Sequence, residues 1–114
     1  MAIGDERLSE DKNKLAPPRR VTILGATGSV GRSTLDLINR QPDAYNIVAL
    51  TAHRNVELLA AQARQCNAEL AVIGDDACYD ALKELLSGSG IEVAAGAQAL
   101  CDAAQRPSAW VMAG

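Results

Sequence analysis

Short, unbroken apolar runs recur along this chain, and a helix-periodic segment follows each of the first four. The runs lie at residues 21–25 (VTILG), 46–52 (NIVALTA), 69–74 (ELAVIG), 91–96 (IEVAAG) and 109–114 (AWVMAG). None alternates polar with apolar, so each strand is expected to be covered on both faces. Strands separated by helices need crossover connections, which lay the strands parallel. The expected fold class is α/β, with a doubly wound parallel sheet.

The helical segments carry their own signals. Val30, Thr34, Leu37 and Ile38 are expected on one buried face of the first helix, and Pro42 breaks the pattern after it. The second helix has Asn55 as a cap and Val56, Leu59, Ala60 and Ala63 on its core face. The third opens on Asp75, presents Cys78, Leu82, Leu85 and Leu86, and stops at Gly-Ser-Gly. A short helix over residues 97–106 precedes the fifth run.

Composition bounds the rest. The chain has 114 residues, enough for one domain. With 3% aromatic residues and no Phe, its core must come from Ala, Leu, Val and Ile. A net charge of -3 argues against nucleic acid as partner. No apolar stretch approaches the roughly 20 residues of a membrane span. The three cysteines have no CxxC spacing and His53 is the only histidine, so no zinc site is expected. Scattered cysteines of odd number fit a reduced, cytoplasmic protein.

Residues 1–18 are polar, mixed in charge and end in Pro17-Pro18. They have neither the apolar core of a signal peptide nor the acid-poor composition of a transit peptide, and are expected to form a flexible arm. Residues 19–114 then form the domain. It is expected to be incomplete, because WVMAG resembles a buried strand just entering a loop. The 114 residues are thus expected to be the front part of a longer protein. A sheet truncated before its last strands would leave an edge open, and alone would associate or be marginally stable.

The first strand-to-helix junction reads GATGSVG, with Gly25, Gly28 and Gly31 three apart. In a parallel open sheet this turn is a phosphate site. Gly25 allows a tight exit from the strand, Gly28 allows close approach of a pyrophosphate, and Gly31 lets the helix lie near the strand. The N–H groups of Ser29, Val30 and Gly31 are free helix-terminal donors, and Thr27 and Ser29 add hydroxyls. The spacing is GxxGxxG rather than GxGxxG, but its strand–turn–helix context makes a Rossmann-like dinucleotide site the expectation. The plainer alternative is a turn whose glycines serve only packing. A P-loop is excluded, because Ala26 stands where its first Gly belongs and Arg32 where its Lys belongs.

About 20 residues beyond such a turn, an NAD enzyme places an acid on the ribose 2′-hydroxyl. Here the sequence is Thr51-Ala52-His53-Arg54-Asn55, with no acid. Arg54 suits a 2′-phosphate, so the expected cofactor is NADPH. His53 is expected to pack beside adenine. The cofactor set is Gly25, Thr27, Gly28, Ser29, Val30, Gly31, His53, Arg54 and Asn55. Asp75 and Asp76 are expected to cap a helix rather than bind metal, and Cys101 to be packing filler. No catalytic residue and no metal ligand is assigned.

The stretches VTILGATGSVGRSTLDLI, NIVALTAHRNVELLAAQA and AELAVIGDD resemble the N-terminal, NADPH-binding domain of the 1-deoxy-D-xylulose 5-phosphate reductoisomerase family. GATGxxG alone also occurs in semialdehyde dehydrogenases; the second stretch discriminates. The resemblance implies an enzyme of non-mevalonate isoprenoid biosynthesis, bacterial or plastid. It isomerises 1-deoxy-D-xylulose 5-phosphate and reduces the product with NADPH to 2-C-methyl-D-erythritol 4-phosphate. It further implies a magnesium or manganese ion, a phosphorylated sugar substrate and a homodimer. Thr27, Gly28, Ser29 and Val30 would line the pyrophosphate, and Arg54 and Asn55 the 2′-phosphate. His53 departs from the Gly of some relatives. The family's metal ligands, substrate-phosphate binders and lid would lie beyond Gly114, so this stretch alone is expected to be inactive. The alternatives are another NADP-linked reductase of the semialdehyde dehydrogenase type and a stand-alone nucleotide-binding module.

Overall fold

A computed structural model describes residues 18–113. The expected arm at residues 1–18 lies outside them except for Pro18, as does Gly114. Five strands, β1 (Arg19–Leu24), β2 (Tyr45–Ala52), β3 (Leu70–Ile73), β4 (Glu92–Ala95) and β5 (Trp110–Ala113), form one sheet of order β4-β3-β2-β1-β5. Every pairing is parallel. The helices are α1 (Ser29–Asn39), α2 (Val56–Cys66), α3 (Tyr79–Leu85) and α4 (Ala97–Gln105). Short 3-10 turns at Pro42–Ala44 and Asp76–Cys78 precede β2 and α3.

The chain steps outward from β1 through β2 and β3 to β4, then returns so that β5 pairs on the other side of β1. Helices α1, α2 and α3 bury Leu35, Ile38, Leu59, Ala60, Ala63 and Leu82 against Val21, Ile23, Leu50 and Ile73. Helix α4 covers the opposite face, with Ala103 against Val48, Ala49, Leu70 and Val72. The sheet is therefore doubly wound and Rossmann-like. Its β1–β2 register shifts between Val21 and Thr22, so Val21 pairs with Ile47 but Thr22 with Ala49. Val48 is the extra residue of this bulge, and Val48 and Ala49 both join the α4 side.

The expected buried face of α1 is corrected by this packing. Gly31, Leu35 and Ile38 are buried, whereas Val30 and Leu37 are 58% and 62% exposed. The cause is Gly31. A Cβ built there would stand 2.5 Å from the Gly25 carbonyl oxygen and 2.7 Å from the Ala26 Cα. The helix lies so near the turn that its inward stripe must start at a residue without a side chain. Thr34 instead bonds its hydroxyl to the Val30 carbonyl at 2.9 Å. Helix α2 matches expectation: Leu59, Ala60 and Ala63 are buried and the Asn55 side chain accepts the Leu58 N–H. In α3, Leu82 and Leu86 are buried but Leu85 is exposed. The last run forms a strand, as expected. Among the described residues β5 is an edge strand, and Trp110, Val111 and Met112 are exposed.

The amino ends of the strands are tied by charge. Arg20 donates from both Nη atoms to the Glu69 carboxylate at 3.1 and 3.3 Å, and Asn46 Nδ2 donates to Glu69 Oε2 at 3.0 Å. Arg19 lies over the Trp110 ring, 4.6 Å from its centroid.

Two outcomes are expected. Gly31→Ala must displace backbone, at a cost of about 1–3 kcal/mol, and should lower the thermal midpoint by on the order of 10 °C. An unchanged melting curve would contradict the close approach. Burial pushes the Cys66 thiol up to about 11 from 9.0, whereas Cys101 is exposed. At pH 8 Cys66 is therefore the protonated, unreactive form. Mass-spectrometric mapping after brief iodoacetamide treatment should find Cys101 alkylated well before Cys66, and equal rates would refute it.

Candidate functional site at the carboxyl ends of the strands

Open parallel sheets bind ligands outside the carboxyl ends of their strands, where the strand order reverses. The reversal here lies between β1 and β5, so the glycine turn after β1 borders it. Gly25 has φ +69°, a left-handed conformation that a side chain would strain. Its N–H donates to Thr51 Oγ1 at 3.0 Å, and the Ala26 N–H donates to the Thr51 carbonyl at 2.7 Å. The Gly28 N–H closes the turn on the Gly25 carbonyl at 3.1 Å. From the other side, Gln62 Nε2 of α2 donates to the Ala26 carbonyl at 2.9 Å in a buried position. The turn is thus held through its backbone by β2 and α2.

Helix α1 starts directly from this turn, with the Arg32 N–H bonded to the Gly28 carbonyl at 2.9 Å. The N–H groups of Ser29, Val30 and Gly31 precede any intrahelical acceptor. Gly28 is the N-cap, no side chain caps the helix, and its first turn carries no acid. Those donors and the positive end of the helix dipole therefore favour an incoming anion. Gly28 itself is extended, at φ -73° and ψ 171°, a conformation open to any residue. What glycine supplies there is a cap position with no side chain over the donors. Thr27 is half-buried, and Ser29 and Val30 are exposed at the mouth.

His53, Arg54 and Asn55 follow β2, the strand next to β1, and all three are exposed. Asn55 Oδ1 is taken by the Leu58 N–H at 3.3 Å, so this side chain caps α2. His53 lies across the end of β3, its Nδ1 3.0 Å from where a Cβ on Gly74 would stand. Arg54 pairs through Nε with Asp75 Oδ2 at 3.2 Å. Asp75 also caps the turn before α3 by accepting the Ala77 N–H at 3.0 Å, the capping role expected of it. Both sets of expected residues therefore stand at the carboxyl ends of adjacent strands.

The supporting roles of three residues escaped the sequence reading. Thr51 and Gln62 hold the turn, and Asp75 holds Arg54. Each had a faint signal. Thr51 is a hydroxyl in an apolar run, Gln62 a polar residue beside Ala63 on the buried face of α2, and Asp75 an acid where a third strand ends. A cavity of about 390 Å³ lies beside the start of α1, lined by Ser29, Arg32, Ser33 and Asp36, and one of about 400 Å³ lies at the opposite end, lined by Ile38, Tyr45, Asn46, Cys66 and Asn67 among others. The lining of the second has side-chain amides but no charged group and no helix N-terminus, so it offers an anion no positive charge. Among the described residues, no three His, Cys, Asp or Glu side chains are grouped to hold a metal ion. No helix there is long and apolar enough to cross a membrane.

Comparison with known proteins agrees with this geometry. Residues 21–114 match the family described as 1-deoxy-D-xylulose 5-phosphate reductoisomerase. The protein of that name from Sinorhizobium medicae is 58% identical over 115 aligned positions, covering 99% of this chain and 27% of its own. That from Zymomonas mobilis is 56% identical over 99 residues, covering 87% of this chain and 26% of its own. A solved structure of the Zymomonas mobilis enzyme in complex with NADPH superposes with a TM-score of 0.82 at 56% identity, over 82% of this chain and 25% of that one. A DOX-P reductoisomerase in complex with NADPH, fosmidomycin and magnesium gives 0.74 at 29% identity, over 82% of this chain and 23% of that one. The chain spans about a quarter of the length of these relatives. With the family matched over residues 21–114, the chain belongs to the 1-deoxy-D-xylulose 5-phosphate reductoisomerase family.

Proposed function

We propose that residues 19–114 are the NADPH-binding portion of a 1-deoxy-D-xylulose 5-phosphate reductoisomerase. The whole protein would isomerise 1-deoxy-D-xylulose 5-phosphate and reduce the product to 2-C-methyl-D-erythritol 4-phosphate. The observation that carries this is one edge of the sheet. The uncapped N-terminus of α1 and the exposed guanidinium of Arg54 stand at the carboxyl ends of neighbouring strands. A dinucleotide bearing a 2′-phosphate has anionic groups for both.

The cofactor fits the residues present. Thr27, Gly28, Ser29, Val30 and Gly31 would receive the pyrophosphate on N–H and hydroxyl donors, and Gly25 would keep the turn tight enough to present them. Arg54 would hold the 2′-phosphate, with Asn55 beside it. His53, whose ring lies across Gly74, would flank the adenine. Bound there, the cofactor supplies the hydride. The chain's own part would be to hold the pyrophosphate and the 2′-phosphate.

The magnesium or manganese ion, the groups that bind the phosphorylated sugar and all residues touching the reacting atoms would belong to the family's further domains. The described residues gather no metal-binding cluster. These 114 residues alone would therefore bind cofactor without turnover. The whole enzyme is proposed to act as a homodimer in the bacterial cytoplasm.

Titration with NADPH and NADH, followed by cofactor fluorescence, tests this. NADPH should bind more tightly. Arg54→Glu removes a charge-assisted contact and adds repulsion, so it should weaken NADPH by about 10- to 100-fold. NADH should change little. Equal losses for both cofactors would overturn the 2′-phosphate assignment. In a second measurement, Ser29→Asp places a carboxylate on the α1 donors and should weaken both cofactors alike. Unchanged binding would remove the pyrophosphate from α1.

A further inference from the structure

An acid at the end of β2 would accept the ribose 2′-hydroxyl and repel a 2′-phosphate. The sequence has none there, but the fold brings one from the next strand. Asp75, after β3, stands 3.2 Å from Arg54, after β2. A carboxylate at this spot could act in either of two opposed ways. As a free acceptor it would select the unphosphorylated ribose. Held by Arg54, it would shape the guanidinium for the phosphorylated one.

The bonding separates the two. Asp75 is fixed three times. Its own N–H donates to the His53 carbonyl at 2.9 Å, Oδ1 accepts the Ala77 N–H at 3.0 Å, and Oδ2 meets Arg54. Both carboxylate oxygens have a partner and the charge is paired with Arg54, so the acid does not stand as an unpaired charge against a 2′-phosphate. The Arg54 backbone is fixed as well, because its carbonyl accepts the Val56 N–H at 2.8 Å. The side chain is 73% exposed and would otherwise sample many rotamers. Asp75 meets it as an ion pair on the Nε side. Among the described residues neither Nη has a partner, so the two-pronged end of the fork stays open. That end matches two oxygens of one phosphate.

We infer that Asp75 is a positioning residue for 2′-phosphate recognition: its charge keeps the Arg54 guanidinium at the end of β2 and leaves both Nη atoms for a phosphate. This rests on the NADPH reading above. Asp75 itself touches no ligand. Its negative charge is offset by Arg54 and by the N–H groups at the start of the turn before α3. The Arg54–Asp75 pair is a surface pair, worth little to stability, so its consequence should appear in recognition rather than in folding.

The test is calorimetric titration of the chain with 2′,5′-ADP, which carries the 2′-phosphate, and with 5′-AMP, which does not. Asp75→Asn and Asp75→Ser both keep an acceptor for the Ala77 N–H but remove the charge that holds Arg54. Each should bind 2′,5′-ADP about 3- to 10-fold more weakly, with 5′-AMP and the melting midpoint unchanged. The Asp75 substitution should add no loss on top of Arg54→Ala, because the acid acts only through the arginine. Unchanged or tighter binding of 2′,5′-ADP by both Asp75 variants would overturn the positioning role, as would an additive loss in the double variant. If the unsubstituted chain fails to prefer 2′,5′-ADP over 5′-AMP, the NADPH reading itself falls and takes this inference with it. A retained preference with silent Asp75 variants defeats the inference alone.

Discussion

The contact on which the rest of this structure depends is the backbone-to-backbone approach at Gly31. No side chain fits between α1 and the turn it leaves, since even a methyl would lie 2.5–2.7 Å from Gly25 and Ala26. That closeness sets the rotation of α1, turning Leu35 and Ile38 inward and Val30 and Leu37 outward. It also keeps the first N–H groups of the helix beside the end of β1. A helix docked further out would carry its donors away from the point where the strand order reverses.

The turn is rigid because its neighbours hold its backbone. Thr51 accepts from two consecutive N–H groups, those of Gly25 and Ala26, and Gln62 donates to the Ala26 carbonyl that follows them. The donors of α1 are left uncommitted by the same arrangement. Backbone polar groups held in place before a ligand arrives need little reorganisation to receive it. The amino ends of the strands are built differently. Arg20, Asn46 and Glu69 satisfy one another there, and the nearby cavity is lined without charge. One end of the sheet is closed by its own ion pair, and the other presents donors outward.

Family membership narrows what the glycine turn alone left open. GATGxxG is shared with semialdehyde dehydrogenases, so its donors speak for a dinucleotide and not for a reaction. The match over residues 21–114 selects the reductoisomerases. It does so over about a quarter of the relatives' length. Among the described residues, the uncapped N-terminus of α1 and the Arg54 guanidinium lie at the carboxyl ends of neighbouring strands.

The sequence by itself determined the strand–helix alternation, the parallel sheet covered on both faces, the position of the glycine turn and the pairing of that turn with Arg54. These are legible because periodicity and glycine placement are local, and because a βαβ chain must put its turns at one edge. Tertiary structure alone decided the rest. The inward stripe of α1 followed from a contact between Gly31 and a turn several residues earlier, which hydrophobic periodicity cannot register because glycine carries no hydrophobic signal. The bulge at Val48 was hidden because every residue around it is apolar. The exposure of β5 depended on which strands flank it. Thr51, Gln62 and Asp75 gained their roles from partners 26, 36 and 21 residues away in the chain, respectively Gly25, Ala26 and Arg54. Pairings at such separations exist only once the sheet has ordered its strands.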